Sequence, residues 1–258
     1  MTDALFVDTH AHMCDQSFDA DRGQVLKRAA DAGIHAILSV SEDYEDAVKN
    51  LALSDRYPML MPAAGIAPAT AAFSEGERLH SLLKRERGRF RAVGEVGLDY
   101  WVAQGDERRA EQRELFEFFI ECALELDLPL NVHSRSAGRQ VIELLTKRGA
   151  TRVQLHAFDG KSSSALPAVE AGYFFSIPPS IVRSAQKQKL VRSLPLANLL
   201  IETDSPVLGP VGQERNEPSN ALLSVKEICR IKGVDTYELM HAVSENTIRL
   251  YGRIAALP

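Results

Sequence analysis

Short apolar runs alternate with longer amphipathic stretches eight times along this chain, and that alternation restricts its architecture more than any other feature. Leu5-Phe6-Val7 precedes an amphipathic segment from Asp21 to Ala32, Ala36 to Val40 precedes Asp43 to Asp55, Met59 to Ala64 precedes Glu75 to Arg87, and Phe90 to Gly94 precedes Asp106 to Leu126. The second half repeats the scheme. Leu130 to His133 is followed by Arg139 to Lys147, Arg152 to His156 by Ser163 to Ala171, Tyr173 to Ser176 by Arg183 to Ser193, and Leu199 to Glu202 by Ala221 to Lys232. Each pair reads as a strand and its helix, the unit of a parallel sheet. Eight such units in 258 residues predict an α/β chain folded as one (β/α)8 TIM barrel, a single domain over 1–258, because that fold takes about 250 residues. An open doubly wound sheet seldom has eight even units, and no Gly-x-Gly-x-x-Gly turn follows the first strand.

Composition excludes several classes of function. No apolar run approaches the roughly 20 residues that span a bilayer, and Asp8 interrupts the first apolar stretch, which lacks the basic flank of a secretory signal. The chain is therefore expected to work in the cytoplasm, away from membranes. Cys14, Cys122 and Cys229 are too few and too far apart for a disulfide framework or a thiolate zinc site. A formal net charge of −5 gives no global attraction to nucleic acid, so any phosphate-binding surface must be local. No protein partner is predicted.

A barrel of this kind carries its chemistry at the C-terminal ends of the strands, and metal-ligand residue types stand there repeatedly. His10 and His12 close the first strand, Glu95 follows the fourth, His133 ends the fifth, His156 ends the sixth, and Asp204 lies just past the eighth. A spacing of two puts both His10 and His12 on one side of a strand, where they can chelate one ion. Glu95 sits in Gly94-Glu95-Val96-Gly97-Leu98-Asp99, read as a tight glycine turn that leaves the carboxylate exposed, with two oxygens able to bridge two cations. Asp99 could cap or brace that turn. A lone His133 or His156 would be read as a buried, hydrogen-bonded core residue; two at equivalent points of adjacent strands point instead to ligation. Pro206 keeps a helix from starting at Asp204, whose carboxylate is then free to face the rim. His35, His80 and His241 fall at helical or pre-strand positions and read as structural.

The chain resembles the TatD family of metal-dependent hydrolases, in the amidohydrolase superfamily, nearly end to end. The motifs that carry the resemblance are Asp8-Thr9-His10-Ala11-His12, Gly94 to Tyr100, His133-Ser134-Arg135, His156-Ala157-Phe158-Asp159-Gly160, Glu202-Thr203-Asp204-Ser205-Pro206 and Arg215-Asn216-Glu217-Pro218. The segments Phe175 to Ser180 and Pro206 to Pro210 are similar to the subgroup that includes the third animal TatD-domain protein. The resemblance implies two divalent cations per chain, zinc, manganese or magnesium. His10 and His12 would hold one, His133 and His156 the other, with Glu95 bridging and Asp204 completing the site. It also implies a deoxyribonuclease or related hydrolase. Two motifs depart from the family pattern: Ala67 and Ala69 stand where Gly-x-His-Pro-His is common, and Ala157 and Asp159 where many members have Cys and Ser.

The expected activity is metal-dependent hydrolysis of phosphodiesters at DNA ends by a water activated between the cations, with Asp204 as proton acceptor as well as ligand and Glu95 as bridge. Arg135 and Arg215 are the candidate phosphate contacts, and Lys161, Arg183 and Lys187 could extend that patch. Tyr100 and Trp101 could stack a base or simply pack their loop. The alternative is hydrolysis of a carboxylic ester or amide, such as an aminoacyl-tRNA ester, on the same centre; a non-catalytic binding protein is a third reading.

Overall fold

A computed structural model describes residues 4–70 and 73–254. Eight parallel strands run in the order of the chain around a barrel: β1 (Val7–Ala11), β2 (Ala36–Ser39), β3 (Leu60–Ala64), β4 (Ala92–Gly97), β5 (Leu130–His133), β6 (Val153–Leu155), β7 (Phe174–Ile177) and β8 (Leu199–Ile201). The helices α1 (Arg22–Asp31), α2 (Tyr44–Arg56), α3 (Phe73–Arg85), α4 (Asp106–Leu126), α5 (Gly138–Lys147), α6 (Ser162–Glu170), α7 (Ala185–Ser193) and α8 (Ala221–Lys232) follow the strands one by one, and α9 (Thr236–Tyr251) ends the fold. The expected TIM barrel is the observed one. None of the described helices is long and apolar enough to cross a membrane.

Alternation along the strands divides the apolar core. Ile37, Leu60, Leu199 and Ile201 point outward and pack with the helices, whereas Ala36, Leu38, Met61, Ala63 and Leu200 belong to a second cluster inside the barrel, joined there by Leu250 and Tyr251 of α9. Above that plug the interior turns polar. Asn131 donates to the Thr9 carbonyl at 3.0 Å, Gln154 donates to Ser176 Oγ at 2.8 Å, Ser176 donates to Glu202 Oε2 at 2.5 Å, and the Tyr251 hydroxyl donates to Gln154 Oε1 at 2.6 Å. These buried groups satisfy one another, which is the condition for keeping polar atoms in a core.

Two irregularities re-aim side chains toward the rim. Ala92 faces the interior cluster, so plain alternation would turn Glu95 outward; the register of β4 against β5 shifts between Val93 and Val96. The same occurs in β1, where the pairing shifts between Asp8 and Ala11. Bulges of this kind bend a strand and redirect its residues near active sites. Glu95 therefore does not lie exposed in a glycine turn after the fourth strand. It is inside β4 and 5% exposed.

The seam between β8 and β1 is closed by bonds just beyond and beside the strands. Asp204 N donates to the His10 carbonyl at 2.8 Å, His12 N donates to the Ser205 carbonyl at 2.7 Å, Thr9 Oγ1 donates to the Ile201 carbonyl at 3.0 Å, and Thr203 N donates to Asp8 Oδ1 at 2.9 Å. Three of the six candidate ligands thus sit on the closure of the barrel.

Candidate metal centre

The six candidate ligands converge, and they do so as two groups that share Glu95. Glu95 Oε2 lies 3.4 Å from His10 Nε2 and 3.3 Å from His12 Nε2, while Asp204 Oδ1 lies 3.3 Å from each of those nitrogens. The two imidazole nitrogens are 3.3 Å apart. A regular tetrahedron with donors ~2.0–2.1 Å from a central zinc has edges of about 3.3–3.4 Å, and these five separations match such edges. The other Glu95 oxygen, Oε1, is 2.7 Å from His133 Nδ1 and 3.0 Å from His156 Nε2, and those nitrogens are 3.1 Å apart. Three donors on one triangular face leave coordination open, as catalytic sites do.

Two of the histidines are oriented from behind by hydrogen bonds. Asn131 Oδ1 is 2.7 Å from His10 Nδ1, and because the Asn131 amide nitrogen already donates to Thr9 and Tyr251, the oxygen is the acceptor that turns His10 Nε2 toward the centre. Asp99 Oδ2 is 3.2 Å from His133 Nε2, which presents Nδ1 to Glu95. His156 stacks on His10 with ring centroids 3.9 Å apart. Asp204 holds its carboxylate inward from a left-handed backbone, φ 56°, and Ala157 beside His156 has φ 42°. L residues other than Asn and Asp rarely adopt that region, and such conformations cluster at functional sites.

Electrostatics favour ionised carboxylates and cation binding. Burial opposes charge on every group here, yet the hydrogen-bonded His10 and His12 hold Asp204 well below the usual carboxylate range, and His156, His10, His12 and His133 do the same for Glu95. Reciprocally, against the same burial, Asp204 and Glu95 push His12 up to about 10, while Asp99 and Glu95 push His133 up to about 9. Burial and the neighbouring His10 push His156 down to about 4, a neutral ligand. Divalent cations would replace the protons that now balance the two carboxylates.

Arg135 and Arg215 part company. Arg135 stands in the wall of a cavity of about 440 Å³ with His133, His156, Asp204, Asp159 and Lys187. Arg215 is not in that wall. It donates to Asp21 Oδ1 and Oδ2 at 2.8 and 2.6 Å and to the Ser17 carbonyl at 2.7 Å, which fastens the loop after β8 to the start of α1. Three of the five Arg215 N–H donors are thereby engaged in a loop tie, away from the cavity wall where a phosphate contact was expected of it. Lys161 and Arg183 are likewise absent from the wall, whereas Lys187 is buried in it and donates to the Ala157 carbonyl at 2.9 Å. Ala69 faces a separate cavity with Glu107 and Glu111, while Ala67 is buried.

Two residues of the site carried no role in the sequence reading. Asn131 orients His10, and Glu202 bonds Ser176 Oγ and, at 2.8 Å, the Ala157 amide. Burial pushes Glu202 up to about 8 despite the charge of His10, with Asp204 adding to the rise. Their signal was the spacing: Asn131, Gln154 and Glu202 each stand two residues before a candidate ligand.

An eight-stranded barrel whose rim gathers four histidines and two carboxylates defines a metal-dependent hydrolase. Residues 7–252 match the family of TatD related DNases, and the chain belongs to that family. It is 42% identical over 263 residues to the deoxyribonuclease TATDN3 of Homo sapiens, covering 97% of this chain and 96% of that one. It is 30% identical over 255 residues to the uncharacterized metal-dependent hydrolase YabD of Bacillus subtilis, with 96% and 99% covered. The crystal structure of YjjV, a TatD homologue from Escherichia coli K12, superposes with a TM-score of 0.89 at 29% identity over 96% of this chain and 98% of that one.

Proposed function

We propose that this chain hydrolyses phosphodiester bonds at DNA ends, with two divalent cations held by His10, His12, Glu95, His133, His156 and Asp204. One observation carries the reading: the two oxygens of Glu95 face two different histidine pairs, the arrangement a bridging carboxylate requires. Cations bound there supply Lewis-acid chemistry, acidifying water and polarising the phosphoryl oxygen under attack. Four imidazoles make the donor set nitrogen-rich, which suits zinc or manganese better than magnesium.

The remaining work belongs to the chain. Asp204, kept ionised by His10 and His12, lines the cavity as an acceptor-only carboxylate and takes the proton of the attacking water. Arg135 and Lys187, in the same wall, provide the positive charge that holds the non-bridging oxygens of a phosphate. Support for DNA as substrate comes from the human relative's name and its near full-length match. Free thiols at Cys14, Cys122 and Cys229 suit a reducing compartment, and we place the protein in the cytoplasm.

Elemental analysis combined with titration tests the centre, with two cations per chain expected and saturation at one counting against the bridge. Incubation of the loaded protein with a single-stranded oligodeoxynucleotide and with a small carboxylic ester tests the reaction. Faster turnover of the oligonucleotide is expected; turnover of the ester alone removes the phosphodiesterase reading.

A further inference from the structure

The loop after β4 carries an aromatic side chain that the metal chemistry does not use. Trp101 is 64% exposed, a large apolar surface left in water at the rim. It is held there. The Asp99 carboxylate accepts hydrogen bonds through Oδ1 from the amides of Trp101 and Val102, at 2.9 and 3.0 Å, while its other oxygen faces His133 Nε2 at 3.2 Å. One side chain therefore sets both a candidate ligand and the loop that bears Trp101. A second tie comes from the loop after β5, where the Arg135 carbonyl accepts from Tyr100 N at 3.0 Å. The Arg135 guanidinium then lies 5.1 Å from the centroid of the Trp101 ring, and the same residue belongs to the wall of the cavity at the metal centre.

Resting on the hydrolase reading above, we propose that Trp101, backed by Arg135, is a stacking platform for an unpaired nucleobase next to the scissile phosphate, and that it selects single-stranded over paired ends. The charge and the continuity of the surface choose this occupant. A phosphate at the centre meets the cationic Arg135 and Lys187, and the nucleoside attached to it extends past Arg135 toward the indole. Indole faces bind bases of any sequence, and an arginine on the ring adds cation–π attraction. A base at a duplex end is held by its pairing partner and stacked on its inner neighbour, so it must be unpaired and unstacked before it can reach the indole. Because Asp99 couples the loop to His133, the stacked base and the reacting phosphate are held in register.

Trp101 is the single tryptophan of the chain, so its emission reports on this position alone. The probe is a hydrolysis-resistant phosphorothioate single strand added to the cation-loaded protein, with binding followed separately by the anisotropy of a label on the strand. Quenching of Trp101 by the base-bearing strand is expected, with little quenching by a strand of equal length that is abasic at its terminal nucleosides. On a cleavable single strand, Trp101→Ala should lower kcat/KM about 10-fold, Trp101→Phe should recover most of that loss, and the wild-type preference for base-bearing over abasic ends should collapse in Trp101→Ala. Cleavage of the strand with unchanged emission on binding and a wild-type rate for Trp101→Ala overturns the platform and leaves the hydrolase reading standing. Absence of turnover on every strand overturns both.

Discussion

At the scale of single residues, the centre depends on side chains that do two jobs at once. Asp204 faces His10 and His12 and also lines the cavity. Asp204→Asn keeps one ligand oxygen but cannot accept a proton, so kcat should fall at least ~100-fold while most of the cation remains bound; a near wild-type rate in metal-replete protein removes Asp204 as the base. Asn131 acts at one remove, through the 2.7 Å contact to His10 Nδ1. Asn131→Ala frees the imidazole to rotate or change tautomer, and cation affinity measured by chelator competition should drop ~10–100-fold. Unchanged affinity would show that stacking on His156 suffices to orient His10. The sequence displayed the ligands because histidines and carboxylates at strand ends are few and conspicuous. It concealed Arg215, since a basic residue in a rim loop looks the same whether it meets a phosphate or, as here, Asp21.

At the scale of elements, the glycines of β4 serve close approach between strands and not a turn. Gly94 and Gly97 suggested a turn, yet both belong to the strand, and the reason is the closeness of its neighbours. A Cβ on Gly97 would stand 2.1 Å from the His133 carbonyl oxygen, at a backbone φ of 144°, and one on Gly65 in the preceding unit would stand 2.3 Å from the Glu95 carbonyl oxygen. Glycine here lets strands carrying ligands approach one another. Gly97→Ala should destabilise the protein by more than ~1 kcal/mol, and should weaken cation binding because His133 is displaced. That corresponds to at least about 2–4 °C in Tm for a chain of this length; an unaltered Tm would mean that β5 can retreat at no cost. Strand existence was legible from apolar runs, and helix positions from their periodicity, so α4 and α8 begin and end where expected. The shifts in β1 and β4 were not, because a bulge depends on the partner strand, and no pattern within one segment encodes it.

At the scale of the whole molecule, the ligands come from or just beyond β1, β4, β5, β6 and β8, and those of β1 and β8 lie on the seam that closes the barrel. Cations that bind only the folded chain should therefore raise its stability, by about 2.7 kcal/mol at a hundredfold excess over Kd, or roughly 5–11 °C in Tm. The size of that gain should depend on pH, and the direction follows from five groups. His12 and His133 have folded values of about 10 and 9, above the ordinary 6.5, so their contribution is complete below 6.5 and is lost as pH rises through 9 and 10. Asp8 and Glu202, pushed up by burial to about 7 and 8, favour the protonated carboxyl, so they too withdraw stability as pH rises through those values. His156, lowered to about 4, gains its contribution between 4 and 6.5 and is flat above. From pH 6.5 to 9 the chelated protein should thus lose Tm steadily. Cation binding, by contrast, becomes easier because fewer protons must leave His12 and His133, so the gap between loaded and chelated protein should widen over the same range. Differential scanning fluorimetry with and without a chelator at pH 6.5, 7.5 and 8.5 measures both curves; a gap that stays constant would show that the histidines are already deprotonated before the cations arrive, and that Glu95 and Asp204 do not hold them charged.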